Sequence, residues 1–196
     1  VTGEVGGHGN ALAMLSGFDP FARGTDLVMA VGGGGMSLVD IVDLGAADPA
    51  DRWKVVRSFA TTRERGALAN GRSLARVDIG HTQGVVASGG RLYVADGPHG
   101  VTAWEFVGSG GVPSDIPHVV ANTLQDEYPQ LVGGELVYPT PHAYGLVYDP
   151  ASQELFVLCQ GLGMRRLDVS AVEAGLGAVG RPLLMKPERS DIFEHN

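Results

Sequence analysis

Apolar positions along the chain fall into short Val/Leu/Ile/Tyr/Phe-rich runs bounded by Gly, Pro, Asn or Asp, the spacing of strands and turns rather than of amphipathic helices. Three of these runs align without gaps: LVMAVGGGGMSLVDIV (27–42), LYVADGPHGVTAWEFV (92–107) and LFVLCQGLGMRRLDVS (155–170). Gly35, Gly100 and Gly163 coincide, as do Met36, Val101 and Met164, then Val39, Trp104 and Leu167, then the acids Asp40, Glu105 and Asp168. Each run reads as a strand, a Gly-rich turn where a positive φ is cheap, and a returning strand, which predicts a β-hairpin.

A further apolar segment precedes each hairpin, GNALAML (9–15), TQGVVAS (82–88) and AYGLVYD (143–149), and another follows it, RWKVVRSFATT (52–62), IPHVVANTL (116–124) and GRPLLMKP (180–187). Every unit is thus expected to hold four strands. A four-stranded antiparallel sheet recurring along a chain is the pattern of a β-propeller blade. The expected fold class is all-β: one propeller repeat region over residues 1–196 with about three four-stranded blades, near 8–62, 81–124 and 142–187. Residues 63–80 and 125–140 are the expected insertions between units. Three blades are too few to close a ring that typically needs four to eight, so the chain is expected to be a fragment of a larger propeller or to receive further blades from a partner. It opens on Val1 rather than Met, as a processed or trimmed product would.

The cores GGRLYVADGPHGVTAWEFV and FVLCQGLGMRRLDVSAV, together with SLVDIVDLGAADPA (37–50), resemble the LVIVD-repeat class of bacterial β-propellers. Units of that class end in Gly-x-x-x-hydrophobic-acid-Val and continue into a Pro/Asp/Ala-rich link. The resemblance implies an exported, periplasmic or cell-surface protein used as a scaffold or binding module, and no particular chemistry.

Gly at 30 of 196 residues is about twice ordinary usage and carries no collagen period, in keeping with a turn-dominated design. A net charge of −8 with scattered basic residues argues against a nucleic-acid partner. The short basic groups Arg63–Arg65 and Arg165–Arg166 are expected to be solvated. Cys159 is the one cysteine, which excludes an internal disulfide and a Cys-based zinc site; within LFVLC it is expected to be a buried, inert thiol. No apolar stretch is long enough for a membrane-spanning helix.

Candidate chemistry centres on histidine. His8, His81 and His142 each stand just before the first strand of a unit, in H-x-x-[GA]-[VL]. In a propeller that strand lies nearest the axis, so the three imidazoles are candidate metal ligands at one mouth of the channel, copper being the metal implied by similar propeller oxidases. The competing expectation is that each imidazole caps its strand by hydrogen-bonding a nearby carbonyl. SGFDPFARG (16–24) lengthens the first unit and sets His8 farther from its hairpin. His99, His118 and His195 are expected in ordinary surface or strand-end roles.

The acids Asp40, Glu105 and Asp168 lie on separate units, too far apart for acid–base catalysis, and are expected to pair with Arg or backbone N–H. GLGAVG (175–180) matches a dinucleotide loop on paper but runs into Arg181-Pro182 instead of a helix, and GGGG (32–35) lacks the Lys-Ser/Thr of a P-loop. No nucleophile elbow or zincin helix occurs. The expected function is therefore a non-catalytic extracytoplasmic scaffold or interaction module with a protein partner, and the rival is a His-ligated copper oxidoreductase.

Overall fold

The computed structural model describes residues 9–14, 27–32, 35–59, 82–88, 91–97, 100–107, 113–123, 130–137, 140, 142–160, 163–177 and 181–187. Strand dominates them, as the short apolar runs predict, and the described residues are all-β apart from one helical turn, α1 (Ser170–Glu173), and a 3-10 turn at Pro49–Asp51.

Three antiparallel meanders follow one another. The first sheet is β1 (Gly9–Met14), β2 (Leu27–Gly32), β3 (Gly35–Ile41) and β4 (Trp53–Phe59), in that order. The second runs β5 (Gly84–Ser88), β6 (Arg91–Ala95), β7 (Val101–Val107) and β8 (Pro113–Asn122). A hairpin, β9 (Gln130–Val132) and β10 (Glu135–Val137), occupies part of the expected insertion at 125–140. The third sheet is β11 (Ala143–Asp149), β12 (Glu154–Cys159) and β13 (Gly163–Asp168). The insertions at 16–24 and 63–80 lie outside the described residues.

The hairpins of the second and third sheets pair in the same register. Leu92 faces Trp104 as Leu155 faces Leu167, and Gly84 faces Ala95 as Gly145 faces Leu158. Both hairpins place glycine at the matched turn position in the left-handed region, Gly100 at φ +71° and Gly163 at φ +70°. The first sheet departs from this register: Leu27 opposes Asp40, one residue beyond the aligned Val39. Pairing in the first sheet runs up to Gly32 and Gly35, which leaves two residues between them, where five lie between the last paired Ala95 and Val101 and three between Cys159 and Gly163, and β2 is slid by one position.

The third unit also differs from the four-strand expectation. After β13, α1 turns the chain back, and β14 (Leu183–Leu184) pairs in parallel with β8 at the edge of the second sheet, while Pro187 bridges β13 at Leu167. Two anchors fix this path. Glu173 is held by side chains of the second sheet, and Gly177 passes so close to β8 that a Cβ there would stand 2.3 Å from the Val120 carbonyl oxygen.

Strand alternation sends Val86, Tyr93, Ala95, Val101 and Ala103 to one face of the second sheet, where they pack on Leu146, Leu155, Val157 and Leu167 of the third. The opposite face, with Leu92, Val94 and Trp104, is buried as well, so β6 and β7 are covered on both sides. First strands meet side by side: β5 touches both β1 and β11. Gly84 permits the approach, since a Cβ there would stand 3.1 Å from the Tyr144 carbonyl oxygen and 3.3 Å from Gly145 Cα.

Candidate interaction surface

The seam between the second and third sheets is tied at both ends. At one end Gly97 and Ala143 exchange backbone hydrogen bonds of 3.1 and 2.9 Å. Beside them the buried Thr123 hydroxyl accepts from the Val101 N–H at 3.0 Å and from the Thr140 hydroxyl. At the other end Tyr93 donates to the Glu173 carboxylate, Ser88 donates to the same group at 3.2 Å, and Arg91 pairs with Glu105 at 2.6 Å. Burial first, then the bond to Glu173, pushes the Tyr93 phenol well above its ordinary range. The bonds to Glu173 and between Gly97 and Ala143 lock one sheet to the next.

The acids fill structural roles in the two places described. Glu105 holds Arg91, and the Asp168 carboxylate is bonded by the Ser170 hydroxyl and by the Ser170 N–H at 2.8 Å, which together lower its pKa. Cys159 is buried, and desolvation raises its thiol to about 11, so it is the inert group its apolar run predicts.

Arg165 corrects an expectation. The Arg165–Arg166 pair lies on a strand, so its members point to opposite faces, and Arg165 is only 3% exposed, between the sheets, with its Nε and Nη1 unpaired. Its positive charge works against the burial effect at Cys159. Arg166 points the other way and pairs with Glu154 at 3.3 Å.

That other face is the surface of interest. By matched position, Val86, Tyr93, Ala95, Val101 and Ala103, the residues with which the second sheet docks on the third, become Val147, Phe156, Leu158, Met164 and Arg166. In the second sheet they are covered. In the third, Val147 is 64% exposed, Leu158 56% and Met164 40%, with Phe156 half-buried beside them. The Arg166–Glu154 pair and Asp168 give the patch a polar border. Its apolar content is that of a docking face, and no other described sheet lies on it.

Of the candidate metal ligands, His8 and His81 lie outside the described residues. His142 is exposed at φ +48°, immediately before β11, and its carbonyl accepts from the Gln160 N–H at 3.1 Å. The described residues contain no group of three or more His, Cys, Asp or Glu placed to hold a metal. His118 sits half-buried in β8; His99 and His195 lie outside the described residues. No described helix is long and apolar enough to cross a membrane.

Neither protein-family models nor curated proteins give a match to the chain. Its class accordingly rests on its own geometry: an all-β protein of successive antiparallel meanders, stacked face to face.

Proposed function

We propose that the chain is a series of β-propeller blades of the LVIVD-repeat type, serving outside the cytoplasm as a non-catalytic scaffold or interaction module. The observation that carries this reading is the equivalence of faces. The third sheet offers to the exterior the same positions by which the second sheet holds its neighbour. Shared register of those two sheets, contact of β5 with β1 and β11, and the left-handed glycines at matched turns support tandem blades. Around the seam the Thr123, Thr140, Tyr93, Ser88 and Glu173 side chains bond to one another or to backbone, which favours a scaffold over an enzyme. The extracytoplasmic setting rests on the resemblance of the repeat cores alone.

Elemental analysis separates this function from the copper oxidoreductase. The purified chain is expected to carry no stoichiometric copper, and His81→Ala and His142→Ala are expected to leave metal content and circular dichroism unchanged. About one copper per chain, lost on either substitution, would overturn the scaffold reading.

A further inference from the structure

Arg165 breaks the pattern of the repeat. The matched position holds a small hydroxyl in the other two units, Ser37 and Thr102, both buried. Thr102 is satisfied there, accepting from the Trp104 indole N–H at 2.8 Å. Arg165 sets a guanidinium at that place, 3% exposed, with Nε and Nη1 bonded to nothing. Buried polar side chains are nearly always bonded, and an uncompensated charge held away from water is costlier still. Arg165 lies opposite Val157 in register, on the face that also carries Leu155 and Leu167, and the second sheet turns Ala95, Val101 and Ala103 toward that face. Glu173, the carboxylate described in this seam, is taken up by Tyr93 and Ser88, and Glu154 pairs with Arg166 on the opposite face. None of the described residues therefore supplies Arg165 with a counter-charge.

We propose that Arg165 anchors an anion site in the seam between the second and third sheets, and that its ligand is a small monovalent carboxylate. Water would satisfy the N–H groups but leave the charge unbalanced. With Arg166 turned to the other face, one positive charge faces the seam. A monovalent anion balances it, whereas a phosphate dianion would bring a surplus negative charge among apolar side chains. The planar guanidinium presents parallel N–H groups that match the two oxygens of a carboxylate. Ala95 and Ala103 on the facing sheet are short, and Val157 and Leu167 beside the charge are apolar, which suits a ligand of the size of formate or acetate. The charge already acts on its surroundings, since it opposes the burial effect at Cys159. This site depends on the pairing of β12 with β13 and on the seam, and stands whether or not the sheets are propeller blades.

Sodium formate tests this on the full chain, with sodium chloride at matched concentration as the control. In the wild type the Arg165 Nε–H resonance, assigned by its loss in Arg165→Met, should shift saturably with formate, and the urea midpoint should rise along the same curve. Arg165→Met should hold formate at least about tenfold more weakly and gain no midpoint beyond that given by chloride. A wild-type resonance indifferent to formate, or one that moves equally with chloride, overturns the proposal, as does an equal formate-dependent gain in Arg165→Met. None of these outcomes touches the scaffold reading, which fails instead on stoichiometric copper.

Discussion

Replacing Gly100 by Ala tests how the hairpin turn of the second sheet is held. Gly100 lies at φ +71°, and a Cβ there would stand 2.3 Å from the Thr123 hydroxyl oxygen and 3.0 Å from both the carbonyl and hydroxyl oxygens of Thr140. The left-handed conformation alone costs an alanine about 1–2 kcal/mol. Displacing Thr123 also breaks its bond from the Val101 N–H and its bond with Thr140, both fully buried, and a buried polar group left unsatisfied costs about 1–3 kcal/mol. With partial relaxation, Gly100→Ala should destabilise by roughly 3–5 kcal/mol, a large share of the 5–15 kcal/mol typical of a domain. Gly133→Ala is the control: φ is +59°, but nothing lies within 4 Å of the added methyl, so only the backbone cost of about 1–2 kcal/mol applies. Urea unfolding followed by the fluorescence of buried Trp104 reads both. If the two variants fall within about 1 kcal/mol of each other, the packing assigned to the Gly97–Ala143 end of the seam is refuted.

Other expectations follow from the same seam. Tyr93→Phe removes a buried donor to the Glu173 carboxylate and should cost about 1.5–3 kcal/mol in urea unfolding, whereas a neutral effect would deny the clamp. Arg165→Met replaces a buried guanidinium whose Nε and Nη1 are unpaired, so its urea midpoint should rise; a fall would mean that the charge has an anionic partner in solution. Cys159 has a folded pKa raised to about 11 from 9.0, so its contribution to stability is full below pH 9 and is lost as pH climbs through about 11; a thiol reagent at pH 8 should label it only as fast as the protein unfolds.

Much of the second and third sheets was legible in the sequence. The gapless alignment matches Leu92 with Leu155 and Trp104 with Leu167, and the two hairpins pair these matched residues alike. The first sheet was less so. Four consecutive glycines admit several turn lengths, and the pairing of Gly32 with Gly35 shifts β2 against its aligned partner. The path of β14 was not legible either, since it depends on Glu173 and Gly177 meeting the second sheet, contacts distant in sequence. The adjacent charges of Arg165 and Arg166 suggest one solvated pair, although a strand separates neighbours to opposite faces. The apolar face of the third sheet can be read from the alternation of Phe156, Leu158 and Met164, Arg166. Its exposure cannot, because burial is decided by what stacks on the sheet and the same pattern in the second sheet is covered.

Backbone nuclear Overhauser effects test most directly whether the second and third sheets are successive copies with neighbouring first strands. Contacts are expected between Leu92 and Trp104, between Leu155 and Leu167, and between the α-protons of Gly84 and Gly145. A β12–β13 pairing displaced by one residue, or no Gly84–Gly145 contact in a folded sample, would contradict the account.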